Sequence, residues 1–160
     1  MSDARRQNED ERTVLKYVRY LVSQGANVNA GHNTPAPLRD AVVAGYFEVV
    51  RFLIAKGADV NVGGGVSPLR VAVDNNNIEM VRFLTDHGAD VNRHLPLFDA
   101  VQNGNLEMVK LLVSRGADVN VEYRNSTLIF EPRGEGMDAG PDVRNPNPAI
   151  VDFLVSQGAR

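Results

Sequence analysis

The stretch Gly88-Ala89-Asp90-Val91-Asn92, GADVN, decides the fold because the chain keeps returning to it. It stands again at Gly57–Asn61 and Gly116–Asn120, as GANVN at Gly25–Asn29, and in shortened form at Gly158-Ala159-Arg160. The glycines recur at steps of 32, 31, 28 and 42 residues. Self-similarity at this period marks a solenoid, in which each copy is one supersecondary unit stabilised by its neighbours. The phrase therefore predicts one continuous repeat domain over residues 1–160. Within it, residues 1–30 are read as an N-terminal capping unit and 31–120 as three regular repeats. Residues 121–160 form an irregular C-terminal capping repeat with a long internal loop.

Working outward, two helical segments precede each closing phrase. The first is short and opens on proline: Pro37–Ala44, Pro68–Asn75 and Pro96–Asn103. Proline suits a first helical turn, where its fixed φ helps and its missing N–H is not needed. Of the residues before these prolines, Ala36, Ser67 and Leu95, only serine is a strong N-cap. The second segment runs over Glu48–Lys56, Glu79–His87 and Glu107–Arg115. Its apolar residues, such as Met80, Val81, Phe83 and Leu84, give each helix a wide apolar face. The glycine that follows sits where a left-handed C-terminal residue is wanted. Before the first full repeat, Val14, Leu15, Val18, Leu21 and Val22 make a helical face without a proline-led partner, so residues 3–22 are expected to form a capping helix or helix pair.

These units resemble ankyrin repeats. Ser67-Pro68-Leu69 matches the family's threonine–proline–leucine opening, Glu48-Val49-Val50 and Leu111-Leu112 match its second helix, and GADVN matches its closing phrase. The resemblance is close over residues 13–120 and weak over 121–160. It implies an all-α solenoid of stacked antiparallel helix pairs with short projecting turns, and a concave face that binds proteins. Three departures individualise the chain. Arg39, Arg70 and Phe98 replace the family's histidine, so the hydrogen-bond tie that it makes between repeats must be made otherwise or lost. The separation from closing Asn to opening Pro falls from 8 to 7 to 4 positions, leaving only Arg93, His94 and Leu95 in the third turn. In the fifth unit Ser126–Phe130 looks like a helix opening, but Pro132, Gly134 and Gly136 oppose its continuation until Pro148 opens a last helix.

Composition narrows the function. The formal net charge of −3 gives no reason to expect nucleic acid. With no cysteine, disulfides and thiol catalysis are excluded, and a reducing compartment fits. The N-terminus has no signal-like apolar core and no run is long enough to span a bilayer, so a cytoplasmic or otherwise intracellular protein is expected, secretion by a signal-independent route aside. His32, His87 and His94 have neither cysteine nor an HExxH pattern beside them, so no metal is expected. Asp40 and Asp99 read as solvated or ion-paired acids, and Gly63-Gly64-Gly65 as a finger tip, since no phosphate-loop lysine follows. No cofactor and no catalytic residue emerge.

What remains is binding. Positions that the resemblance places on the concave face are His32 and Asn33, then Asp74 and Asn75, then Arg93, His94, Gln102 and Asn103, and finally Tyr123 and Arg124. Interface hot spots favour tyrosine and arginine, which singles out Arg93, Tyr123 and Arg124. The expected protein is a monomeric, non-enzymatic adaptor, inhibitor or effector subunit with a protein partner. The alternatives are a scaffold segment of a larger ankyrin protein, consistent with the chain stopping at Arg160 just after a closing glycine, and an enzyme using the irregular fifth unit.

Overall fold

Proline-led segments and apolar periodicity produce the helices where the repeat pattern requires them. The computed structural model describes residues 3–30, 36–62, 66–120, 122–123, 126–127 and 147–159. The chain divides into two compact units, Met1–Asp90 and Val91–Arg160. The first holds α1 (Asp3–Ser23), α2 (Pro37–Ala44), α3 (Phe47–Ala55), α4 (Pro68–Asp74) and α5 (Ile78–Asp86). The second holds α6 (Pro96–Gln102), α7 (Leu106–Ser114), the two-residue strands β1 (Glu122–Tyr123) and β2 (Ser126–Thr127), and α8 (Pro148–Ser156).

In the first unit α2 packs on α3 and α4 on α5, while α2 meets α4 and α1 meets α3. Its core is built from Leu38, Ala41 and Val42, Val49, Val50 and Leu53, Leu69, Ala72 and Val73, and Met80, Val81 and Leu84, all buried. In the second unit α6 packs on α7 and α7 on α8, burying Leu97, Ala100, Val101, Met108, Val109, Leu112, Ile150 and Leu154. The small residues Ala41, Ala72 and Ala100 stand mid-helix in each short helix, which lets its partner approach closely.

Residues 3–23 form a single helix, settling the choice between a capping helix and a helix pair. The second helices begin one residue earlier than their glutamates suggest, at Phe47, Ile78 and Leu106. Two of these starts are capped by asparagine: Asn77 Oδ1 accepts from Met80 N–H at 3.0 Å and Asn105 Oδ1 from Met108 N–H at 3.0 Å. At the same position of the first repeat stands Tyr46, which makes no side-chain cap. There the Glu11 carboxylate of α1 supplies the acceptor, taking the Glu48 N–H at 2.6 Å. Among the short helices Ser67 caps α4, whereas Ala36 and Leu95 make no side-chain cap, in keeping with their chemistry.

The shortened third connector is closed by backbone conformation. His94 and Leu95 are consecutive left-handed residues, with φ of 62° and 56°. Neither is glycine, so the reversal is made at a steric cost on the order of 1 kcal/mol per residue. Ser126–Thr127 does not open a helix: it pairs antiparallel with Glu122–Tyr123, Tyr123 opposite Ser126. The long-loop region of the fifth unit lies outside the described residues, apart from these strands and α8.

Candidate functional site

Each residue of the closing phrase has a structural task. Gly57, with φ of 85°, ends α3 in the left-handed region and donates to Ile54 O at 2.9 Å, while Ala58 N–H reaches back to Leu53 O at 3.0 Å. This pair of bonds is the Schellman closure, and it recurs after α5, α7 and α8. Ala58, Ala89 and Ala117 are buried beneath it. The aspartate folds the next turn locally: Asp59 Oδ1 accepts Asn61 N–H at 2.9 Å, and Asp118 Oδ1 accepts Asn120 N–H at 2.8 Å.

The closing asparagine then reaches into the following phrase. Asn29 Nδ2 donates to Gly57 O at 2.9 Å and its Oδ1 accepts Asp59 N–H at 2.7 Å. Asn61 does the same to Gly88 O and Asp90 N–H, at 3.0 and 2.8 Å. In the second unit Asn92 bonds Gly116 O and Asp118 N–H at 3.3 and 2.8 Å, and Asn120 reaches Gly158 O at 3.5 Å. A primary amide suits this double bond because it carries a donor and an acceptor side by side. These clamps tie successive repeats where arginine and phenylalanine replace the histidine of the resemblance.

With the scaffold accounted for, the exposed residues of the short helices stand out. Where they end, three pairs are in register: Val43 and Ala44, then Asp74 with the C-cap Asn75, then Gln102 with the C-cap Asn103. All six are exposed, Val43 at 55%, while the rest of each helix is largely buried. Arg93 and His94, in the third connector, are half-buried. Tyr123 lies on β1 opposite Ser126. His32, Asn33 and Arg124 lie outside the described residues. In the first unit the expected surface is thus represented by Asp74 and Asn75, and in the second by Arg93, His94, Gln102 and Asn103.

The remaining candidates are structurally explained. His87 is exposed at the end of α5, its Nδ1–H donating to Phe83 O at 2.8 Å and its ring 4.2 Å from that of Phe83. Asp40 is exposed in the first turn of α2, where a carboxylate complements the helix dipole. Glu48 and Arg51 form an ion pair at 3.0 Å along α3, as their spacing predicts. Among the described residues no cluster of three or more His, Asp or Glu side chains could hold a metal ion. No helix among them is long and apolar enough to cross a membrane.

Short helix pairs, glycine closures and backbone clamps at a fixed period define a repeat scaffold of stacked helix pairs. The chain belongs to the ankyrin-repeat family, whose model of three repeat copies matches residues 7–64 and 63–123. No protein among those with curated descriptions matches it. Membership makes the chain a non-catalytic scaffold of the kind that generally serves protein binding.

Proposed function

We propose that this chain is a protein-interaction module, an adaptor, inhibitor or effector subunit, that holds its partner on the concave face through the last turns of its short helices. One observation carries the reading. The exposed positions that end α2, α4 and α6 change in chemistry from Val43 and Ala44 to Asp74 and Asn75 to Gln102 and Asn103. Three buried positions of the same helices keep leucine, alanine and valine throughout: Leu38, Leu69 and Leu97, Ala41, Ala72 and Ala100, and Val42, Val73 and Val101. A surface that varies over a constant frame is suited to recognition. Arg93 and Tyr123 are the strongest candidates for anchoring a partner, since arginine and tyrosine concentrate interface energy.

Affinity capture from a cell extract tests this. The intact protein should retain a direct partner, and the charge reversal Asp74→Arg or the pair Gln102→Arg and Asn103→Arg should release it without lowering the melting temperature. Retention of the partner by all of these variants would refute the surface.

A further inference from the structure

The N-terminal helix carries a second, separate surface. Alignment on the closing glycines Gly25 and Gly57 puts Tyr17 in register with Val49 and Leu21 with Leu53. Val49 and Leu53 are each 2% exposed in α3, and their counterparts Met80 and Leu84 are buried in α5. Tyr17 and Leu21 are 65% and 54% exposed. The difference lies in the chain before them. Ahead of α3, residues 37–44 fold back as α2 and pack against it. Ahead of Thr13, the residues in register with α2 are 5–12, RRQNEDER, without one apolar side chain, and they run on as part of α1. The place that a short helix fills in the following repeats is therefore left open on α1.

The open face has a definite chemistry. A concavity of about 460 Å³ adjoins it at Tyr17 and is lined, among the described residues, by Arg12, Thr13, Lys16, Tyr17 and Tyr20. Two of these five are cations; Glu9 and Asp10 lie on the same helix but do not line it. Lys16 also stands in register with Glu48, Glu79 and Glu107, so the charge at this position is reversed in α1 alone among these helices. Aromatic and cationic side chains thus occur together beside the place that a short helix fills in the following repeats.

We propose that this face of α1 is the seat of a short amphipathic helix from a partner protein, with a leucine–alanine–valine stripe toward Tyr17 and Leu21 and acidic residues toward Arg12 and Lys16. Helix-in-groove docking uses such anchors at helical spacing, and complementary charge sets orientation and selects the partner.

The test uses two labelled synthetic helices with the Leu-x-x-Ala-Val spacing of α2, α4 and α6, one bearing glutamates on its flank and the other lysines. Fluorescence anisotropy with the full chain should show the acidic helix binding about tenfold or more tighter at low salt, the gap closing as salt screens it. The pair Arg12→Glu and Lys16→Glu should reverse that preference. Tyr17→Ser with Leu21→Ser should weaken the acidic helix about tenfold with little change in melting, because both side chains are exposed. Equal or absent binding of the two helices would overturn the proposal. So would sedimentation showing a dimer that the serine variant abolishes, which assigns the face to a second copy. Binding to phosphatidylserine vesicles but to neither helix would assign it to a membrane surface instead.

Discussion

Replacing Glu11 by alanine removes the only side-chain acceptor that caps α3 among the described residues, and the structure says how much that costs and how to restore it. The bond from Glu48 N–H to Glu11 Oε1 is 2.6 Å long and charge-assisted. Loss of an N-cap acceptor typically costs about 1 kcal/mol, within about 0.5–2, and a carboxylate at a helix N-terminus adds roughly 0.3–1. Glu11 is half-buried and Glu48 exposed, so water recovers part of this, while alanine favours α1 by a few tenths of a kcal/mol. The expected net loss is about 1 kcal/mol, a fall in melting temperature of roughly 2–4 °C for a chain of this size. Glu11→Gln keeps the acceptor without the charge and should lose about half as much. The decisive arm is Tyr46→Asn. Asparagine at this position caps the Met80 and Met108 amides of α5 and α7, whose counterpart in α3 is Val49 N–H, so it should add a second cap beside the Glu48 N–H that Glu11 takes and offset the loss of Glu11 without replacing its bond. Urea unfolding of the four proteins of the Glu11→Ala and Tyr46→Asn cycle should show a loss of about 1 kcal/mol for Glu11→Ala that Tyr46→Asn offsets. If Glu11→Ala leaves stability unchanged in both backgrounds, Glu11 does not act as a cap of α3 and the reasoning fails. Hydrogen exchange at the Glu48 amide gives a local check: it should accelerate in Glu11→Ala.

Asn61→Ala deletes two bonds between successive phrases and should lower stability by about 1–3 kcal/mol in denaturant unfolding. Gly104 and Asn76 occupy equivalent turn positions at φ of 67° and 54°; Gly104→Ala should destabilise by about 1–2 kcal/mol through backbone conformation in the same assay. A Cβ at Gly104 would meet nothing within 4 Å, which removes steric collision as an alternative cause. Leu112→Ala, at a fully buried site in α7, should cost about 2–5 kcal/mol by thermal or urea unfolding.

Much of this fold was readable from the repeated phrase, and the parts that were not share a physical cause. Helix existence, order and closing glycines follow from periodicity and local conformational preference, and the starts Pro37, Pro68 and Pro96 coincide with the observed ones. The second helices start a residue early because Asn77 and Asn105 cap them, a signal present in the sequence two residues before each glutamate. The recurrence of Asn29, Asn61 and Asn92 was plain, but their acceptors lie 24 to 28 residues away, beyond any local rule. The cap supplied by Glu11 spans 37 residues and was invisible for the same reason. Ser126–Thr127 carried the pattern of a helix opening, yet a local antiparallel pairing with Glu122–Tyr123 takes it instead. As for the proposed binding surface, the exposure of Asp74, Asn75, Gln102 and Asn103 followed from repeat register, whereas the exposure of Tyr17 and Leu21 on α1 was not read from the sequence although the missing short helix before it was.

The asparagine clamps also bear on how such a protein changes over generations. Asn29, Asn61 and Asn92 each bind main-chain groups of the next phrase, the carbonyl of a glycine and the N–H of an aspartate. A duplicated or deleted unit therefore brings these bonds with it, because a main-chain partner is present whatever side chains the neighbour carries. Lineages can lengthen or shorten the array by unequal recombination while Asp74, Gln102 and their counterparts drift freely. The clamp separates inheritance of the frame from inheritance of what the frame displays.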